Sequence, residues 1–371
     1  MPRLKKIVVR DYRNIELQEI DFCPNVNCIS GGNGEGKTSL LDAIWYLSMA
    51  KSSLSPTDSF CFRHGTSSFA ISGLYTMENG TLERFSVQVG RKGAEVGEKK
   101  FKRNDSTYKK VSEHIGTLPI VMVSPADVTM VSDTGEERRK FVNSVLSQMQ
   151  PQYLTAVQQY NRYLLQRNRL LKSGMNDESL LETFDERLSE LSEPIFRSRE
   201  EFVEKLTPTV QEFYNEISGG KESVGIEYRS CLKKESLRDT LRSHRDQDLL
   251  LKYTTAGLQR DDFLFTMDSY PIRRIGSQGQ QKSFLVALKF AQYSIMKKDR
   301  GVPPMLLLDD LFDKLDMDRV GNLLQMVAGN DFGQIFLTDS NKVRISSIVD
   351  ALTTERTYYE ASGGAFSKAD G

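Results

Sequence analysis

Two α/β segments flanking a long helical insertion are the fold that the 371-residue sequence predicts. Three observations predict it. An apolar strand, a glycine-rich loop and a helix follow one another between Val26 and Leu47. An apolar run ending in two acids stands at Leu306-Leu307-Leu308-Asp309-Asp310. Between them, from near Pro125, apolar residues recur at spacings of three and four.

The opening segment reads mostly as strands. Ile7-Val8-Val9 begins one, and Ile20 and Phe22 alternate in a second. Phe69, Ile71, Gly73 and Tyr75 alternate in another, as do Phe85, Val87 and Val89. Alternation of this kind predicts antiparallel strands with one solvated face. Val26-Asn27-Cys28-Ile29-Ser30 is a further short strand, and Leu40, Leu41, Ile44 and Leu47 mark the helix that follows the glycine-rich loop. Gly90 to Lys110, rich in glycine and lysine, reads as an exposed hairpin or loop.

Helical spacing then takes over. Phe141, Val145 and Met149 share a face, and Pro151 interrupts or restarts the helix. Tyr153, Val157, Tyr160, Leu164 and Leu171 continue the spacing to Ser173-Gly174, and Phe184, Leu188, Leu191, Ile195, Phe202 and Leu206 repeat it. Two segments of similar length joined by a polar turn predict a short antiparallel helical hairpin, the alternative being two core helices of a bundle. In either form the insertion reads as a helical arm and not a sheet. From near residue 275 the α/β pattern returns, with a helix through Gln280, Leu285 and Leu288 and buried strands at Met305-Leu306-Leu307-Leu308 and Ile335-Phe336-Leu337. The expected division is 1–124 with 274–371 as a split α/β domain of mixed sheet, and 125–273 as the arm.

The glycine-rich loop carries the chemistry. Gly31-Gly32-Asn33-Gly34-Glu35-Gly36-Lys37-Thr38 fits G-x-x-x-x-G-K-[ST] at every specified position. Glycines let the backbone turn so that its N–H groups and the helix N-terminus converge on phosphate oxygens. Lys37 is expected to reach the β- and γ-phosphates and the Thr38 hydroxyl to bind Mg²⁺, with Ser39 completing the nucleotide-binding run. An ordinary glycine-rich turn is the bland alternative; the strand before and helix after argue against it. Beside such a loop, Leu306-Leu307-Leu308-Asp309-Asp310 reads as the Walker B element, with Asp309 on Mg²⁺ and Asp310 as the general base orienting the attacking water.

Gly276-Ser277-Gln278-Gly279-Gln280-Gln281 sets the subclass. A Ser-x-Gly-Gln segment at a helix start, ahead of Walker B, resembles the signature of ABC-type ATPases; a helix N-cap at Ser277 with no ligand is the alternative. In the functional role, Ser277, Gln278, Gly279 and Gln280 act in trans on ATP held by another protomer. One loop and one signature per chain therefore predict an ATP-dependent homodimer. Leu311-Phe312-Asp313-Lys314-Leu315-Asp316 stands where such enzymes place the segment that crosses this interface.

Bulk properties exclude some classes. Hydrophobic content is 39% and charged content 27%, and the net charge is zero, so any nucleic-acid surface must be local. Cys23, Cys28, Cys61 and Cys231 form no C-x-x-C pair, which suits a reducing compartment. The N-terminus lacks an apolar signal region and no long apolar run appears, so a cytoplasmic protein without a membrane segment is expected.

With these motifs the chain resembles the RecF family of bacterial recombination-repair ATPases over nearly its full length. Tyr12-Arg13-Asn14, Lys51-Ser52, Ser124-Pro125-Ala126-Asp127, Glu137-Arg138-Arg139-Lys140-Phe141, Tyr160-Asn161-Arg162, Gln166-Arg167-Asn168 and the run from Thr254 to Asp262 carry the likeness. It departs at Ser53-Leu54, Leu258-Gln259 and Asn143. The resemblance implies ATP and Mg²⁺ as cofactors and weak DNA-stimulated ATP hydrolysis. It implies a dimer that clamps duplex or gapped DNA and works with RecR and RecO to load RecA, in recombinational repair, replication-fork maintenance and the SOS response. It also makes Arg13 and Asn14 candidates for nucleotide contact. Lys99, Lys100, Lys102, Arg103, Lys109 and Lys110 form a cationic stretch suited to phosphates, or else a solvated loop. Arg138 and Arg139 are candidates for DNA, for nucleotide phosphate or for a structural ion pair. An SMC-like tether shares the ATPase head but needs far longer coiled coils than these helices at about 1.5 Å per residue. A transporter-type ATPase subunit with a non-DNA partner is the other alternative, and the split core and arm fit it poorly.

Overall fold

The computed structural model describes residues 1–93, 95–132, 135–174, 177–310, 333–350 and 353–369. The chain divides into two compact units, residues 1–127, 216–218 and 285–371 in one and residues 128–215 and 219–284 in the other. The expected boundaries at 124/125 and 273/274 thus compare with divisions at 127/128 and 284/285.

In the first unit, β1 (Arg3–Tyr12) and β2 (Ile15–Asp21) form a hairpin. β3 (Val26–Ser30) then leads through the glycine-rich loop into helix α1 (Lys37–Met49). β4 (Ser68–Thr76), β5 (Leu82–Lys92), β6 (Glu95–Arg103) and the short β7 (Ser106–Thr107) join the first hairpin in an antiparallel sheet of order β2-β1-β4-β5-β6-β7. The segment from Gly90 to Lys110 therefore extends this sheet, with Phe101 buried on its inner face opposite Val87.

β8 (Ile120–Val123), β12 (Met305–Leu308), β13 (Ile335–Asp339), β14 (Arg356–Ser362) and β15 (Ala365–Ala369) surround β3 in a second six-stranded sheet. Its order is β15-β14-β3-β13-β12-β8. β14 and β15 are antiparallel and the remaining pairs parallel, so the sheet is mixed. β3, β8, β12 and β13 are buried along their whole length, as continuous apolar runs in parallel sheets require.

Helix α1 packs on both sheets. Leu40, Leu41, Ile44 and Leu47 share one core with Ile7, Val9, Phe69 and Ile71 of the antiparallel sheet and with Ile29, Leu307 and Phe336 of the mixed sheet. Each such side chain contributes about 1.5–3 kcal/mol on leaving water. The helix carrying the phosphate loop is thus anchored in a core shared by both sheets.

The second unit is mainly helical: α2 (Thr129–Ser132), α3 (Gly135–Met149), α4 (Pro151–Ser173), most of α5 (Glu178–Ser218), α6 (Leu237–Ser243), α7 (Arg245–Leu251) and α8 (Ile272–Ile275). Pro151 occupies the first turn of α4, where its missing N–H costs nothing. The two long helices are not of similar length. α5 has 41 residues against 23 in α4, because apolar spacing persists beyond Leu206 through Val210, Tyr214 and Ile217 and survives Pro194 and Pro208.

Nor is the insertion free of sheet, as the helical reading expected. β9 (Val224–Arg229), β10 (Asp262–Met267) and β11 (Tyr270–Pro271) form a three-stranded antiparallel sheet. Val224, Ile226 and Tyr228 alternate, as do Phe263, Phe265 and Met267, which is the period-two signal of a half-buried strand. Tyr228 and Phe263 stack with centroids 4.8 Å apart. α9 (Gln278–Arg300) begins in this unit, where Phe284 meets Phe265 at 4.9 Å, and its residues from Leu285 belong to the first.

Candidate functional site

β3 ends at Ser30, and the next eight residues turn tightly into α1. Gly31 has φ +151° and lies so close to β14 that a Cβ would stand 2.5 Å from the Ala361 carbonyl. Gly36, at φ +106°, caps α1, and a Cβ there would stand 3.0 Å from the Asn14 amide. These two positions need glycine for conformation and for close approach together. The loop residues Gly32, Asn33 and Gly34 are exposed, Glu35, Thr38 and Ser39 half-buried. Lys37 is buried and lies back along the loop, its Nζ donating to the carbonyls of Gly31 at 2.7 Å and Gly32 at 3.0 Å.

The acidic strand end meets this loop. Thr38 Oγ1 donates toward the Asp309 carboxylate, 3.1 and 3.0 Å from its two oxygens. Thr338, at the end of β13, donates to Asp309 Oδ1 at 2.8 Å and accepts the Asp310 N–H at 3.0 Å. Burial raises the Asp309 pKa, against the hydrogen bonds from Thr338 and Thr38. Asp310 follows with φ +43°, a conformation costly for a non-glycine residue and concentrated at functional sites. Strand register produces this meeting, since β3, β13 and β12 are adjacent and parallel and their C-terminal ends coincide. Thr338 is thus the residue that fixes Asp309.

Oxygen donors from Thr38 and Asp309 suit a hard cation such as Mg²⁺. That ion takes one or two protein oxygens and fills its shell with water and phosphate oxygens. Among the described residues no cluster of three or more His, Cys, Asp or Glu competes for a metal.

Sequence reading missed two supports. The first is the turn between β14 and β15: the Gly363 N–H donates to the Glu35 carboxylate and the Gly364 N–H to the Glu35 carbonyl at 3.0 Å. A Gly-Gly pair between alternating strands was the signal for that hairpin. The second is Asp42 of α1, fully buried, which accepts from Tyr12 at 2.7 Å, Arg13 Nε at 2.9 Å, Ser52 at 2.7 Å and both the N–H and hydroxyl of Ser53 at 2.7 Å. Arg13 also donates to Ser52 and Ser55. The guanidinium of Arg13 is therefore committed to this network, whereas Asn14 reaches the phosphate loop and donates to the Gly34 carbonyl at 3.2 Å.

In the second unit, Ser277 Oγ accepts the Gln280 N–H at 3.3 Å and Gln280 Oε1 accepts the Ser277 N–H at 2.8 Å. This is a reciprocal capping box at the start of α9. Gln280 Nε2 is held by Glu222 at 2.8 Å. Ser277 and Gln278 are exposed and Gly279 is half-buried. Capping occupies a lone pair of Ser277; its O–H proton has no acceptor among the described residues. The interface-crossing segment expected at Leu311 to Asp316 lies outside the described residues.

With this geometry in view, a family model described as RecF/RecN/SMC N terminal domain matches residues 3–356. The chain is 42% identical over 363 residues to "DNA replication and repair protein RecF" of Phocaeicola vulgatus, covering 97% of each chain. It is 40% identical over 368 residues to the protein so named from Bacteroides fragilis, covering 99% of this chain and 98% of that one. The chain belongs to the RecF family. A solved structure of the recombination mediator protein RecF with ATP, in the RecFOR pathway, superposes with TM-score 0.89 at 30% identity, covering 100% of this chain and 98% of that one. The Smc head domain of Pyrococcus furiosus shares the fold, with TM-score 0.59 at 14% identity over 100% of this chain and 96% of that one.

The basic residues singled out in this RecF-family sequence have different fates. Lys102, Lys109 and Lys110 are exposed. Arg103 makes a two-pronged bond to Glu83 at 2.6 and 2.9 Å, and Lys99 and Lys100 pair with Asp58 and Glu98 at 3.0 Å. Arg138 is buried, bonded to Asp262 at 2.8 and 3.1 Å and to the Met130 carbonyl at 2.8 Å. Arg138 is thus a structural ion-pair residue and not an exposed DNA contact, because β10 brings Asp262 against it. Arg139 is half-buried and donates to the Asp261 carbonyl at 2.6 Å.

Proposed function

We propose that this chain is an ATP-dependent DNA-binding protein of replication and recombinational repair. In this reading two copies close head to tail on ATP, clamp duplex or gapped DNA, and release it on slow hydrolysis. The observation that carries it is the meeting of the Thr38 hydroxyl with the Asp309 carboxylate beside the Lys37 loop. Residues 31–39 bind the triphosphate, with Asn14 beside them and Arg13 bracing the loop helix through Asp42. Lys37 turns from the loop carbonyls to the β- and γ-phosphates. Thr38 and Asp309 hold Mg²⁺, which when bound supplies positive charge to the phosphates. Asp310, next to Asp309 and with its backbone N–H held by Thr338, orients the attacking water and takes its proton.

Ser277, Gln278, Gly279 and Gln280 act on the nucleotide of the other copy. The capping bond leaves the Ser277 proton to donate to a γ-phosphate oxygen. In functional terms the ATPase part spans 1–124 and 274–371, and 125–273 forms the arm. DNA phosphates are met by exposed lysines including Lys102, Lys109 and Lys110. Arg103 adds to that surface only by leaving Glu83. The protein acts in the cytoplasm with RecR and RecO to promote RecA loading. The names of its relatives support the pathway, and among the described residues no helix is long and apolar enough to cross a membrane.

Steady-state ATPase rate and light-scattering mass, with and without duplex DNA at low and moderate salt, test this reading. Slow hydrolysis, ATP-dependent dimerisation and DNA stimulation that falls with salt are expected. Lys37→Ala abolishes nucleotide binding, Asp310→Asn traps an ATP-bound dimer, and Ser277→Ala binds ATP as a monomer without dimerising. A wild-type protein that stays monomeric with ATP and ignores DNA overturns the clamp.

A further inference from the structure

The second unit holds a cavity of about 280 Å³ that the ATP reading does not use. Arg139, Lys140, Arg199, Asn143, Tyr160 and Gln259 line its polar side, together with the carboxylate of Glu136. Two of these cations are already satisfied. Lys140 is bound by Glu136 at 2.9 Å and Glu137 at 2.8 Å. Arg199 is bonded to Asp261 at 2.6 Å, and its remaining nitrogens reach Tyr153 and the Asn143 carbonyl oxygen at 3.1 and 3.2 Å. Arg139 differs. Its guanidinium makes one hydrogen bond, to the Asp261 carbonyl, and among the described residues no carboxylate lies within ion-pair distance.

A half-buried guanidinium beside a second one bears desolvation and repulsion, and Asp262, Glu136 and Asp261 offset them only from beyond direct ion-pair distance. Burial first, and then Arg199, hold the Arg139 pKa below its ordinary value, against the attraction of Asp262, Glu136 and Asp261. An anion in the cavity gives this guanidinium the direct partner that no carboxylate supplies within ion-pair distance among the described residues. The neighbouring groups suit an oxyanion: Arg139 keeps most of its five N–H donors, and Asn161 at the mouth adds an amide with no partner among the described residues. Val157, Ile195 and Leu258 form an apolar wall that limits competing water.

We propose that this cavity is a phosphate-binding site centred on Arg139, distinct from the phosphate loop. Its ligand is a phosphate oxyanion, supplied either free or as a backbone phosphate of DNA. The cavity volume accommodates a single phosphate group with part of its ester.

Calorimetric titration with inorganic phosphate tests the proposal, using full-length protein saturated with Mg·ADP so that the phosphate loop is filled. Acetate at equal ionic strength is the control. Wild-type protein is expected to bind phosphate and not acetate under these conditions. Arg139→Gln removes the fixed charge, and Asn143→Asp places a built-in carboxylate beside Arg199 and Arg139; each weakens phosphate binding at least tenfold. Asn143→Asp guards against misfolding, since it adds an ion-pair partner and keeps an acceptor for Arg199 and Tyr153. DNA titrations distinguish the two sources. If DNA supplies the ligand, both variants also lower DNA affinity and make the slope of log K against log salt shallower by about 0.9. If free phosphate is the ligand, DNA binding is unchanged while phosphate binding is lost. Absence of phosphate binding by wild-type protein, or undiminished binding by both variants, overturns the proposal.

Discussion

Single side chains in this protein are often held by one unusually well-defined neighbour, and His114 shows what that does to its chemistry. It is fully buried among Phe85, Phe101 and Tyr108. Nε2 lies 2.6 Å from the Leu47 carbonyl, which only accepts, so the proton sits on Nε2 and Nδ1 accepts from the Tyr108 hydroxyl at 3.2 Å. Burial lowers the His114 pKa to about 4, with Arg103 contributing, against the bond to Leu47. The unfolded chain titrates near 6.5, so below that pH it binds the proton that the folded protein refuses. Stability from this group is complete above about 6.5 and is lost as pH falls toward 4. Urea unfolding is expected to show about 2 kcal/mol less stability from this residue at pH 5 than at pH 7. His114→Gln keeps an N–H for Leu47 and removes the titration, so its acid loss shrinks by that amount. Equal losses in both proteins would refute the assignment. At this same scale the motif residues Lys37, Thr38 and Asp309 were legible in the sequence because local spacing and a single strand end define them. Arg13 and Arg138 were not. Their partners, Asp42 and Asp262, come from other elements, and charge alone does not reveal whether an arginine is already paired.

Elements divide along the same line. Helix α1, β3, β12 and β13 were readable because continuous apolar runs and a glycine-rich loop announce themselves locally. The sheet of β9, β10 and β11 was obscured because its strands are only six residues or fewer and lie among helices. The β14–β15 hairpin is the element whose role was least visible. Its turn closes on Glu35, and at Gly364 (φ +84°) a Cβ would run into the Asn14 carbonyl. Gly364→Ala therefore disturbs the phosphate loop as well as its own turn. Gly80→Ala is the matched control, with φ +80° and open space around it, so it carries the backbone strain alone, about 1 kcal/mol. Fluorescent-nucleotide titration is expected to show at least fivefold weaker ATP binding for Gly364→Ala and unchanged binding for Gly80→Ala. Equal affinities would mean that the hairpin does not support the loop.

At the scale of the whole molecule, each compact unit has its own means of cohesion. The first relies on the apolar core around α1. The second is built around Arg167, fully buried, with Nε on Asp185 at 2.6 Å and a second nitrogen on Asp248 at 2.7 Å and Thr254 at 2.8 Å. Arg245 adds a bond to Asp185 at 2.6 Å. These contacts tie α4, α5, α7 and the strand-leading segment at Thr254 together. Removing the arginine leaves buried Asp248 without a cation and Asp185 with Arg245 alone, which costs about 3–5 kcal/mol. Arg167→Met is thus expected to lower the unfolding transition of the second unit while Lys37-dependent nucleotide binding persists at low temperature. Hydrogen exchange reads both: amides of α4 and α5 lose protection and those of α1 keep it. Uniform loss across both units would show that they do not unfold separately.

The order of the mixed sheet also sets a timetable. Among the described residues the phosphate-loop strand β3 pairs with β13 and β14 alone, which are specified by the last part of the chain, and Thr38 waits for Asp309 across 271 residues. At about 5–20 residues per second of synthesis, that gap lasts about 15–55 seconds. During this interval the loop helix has emerged from the ribosome while both flanks of its strand are still missing. A nascent chain of this protein therefore gains its nucleotide site only near the close of translation, after the whole insertion has been made and had time to fold.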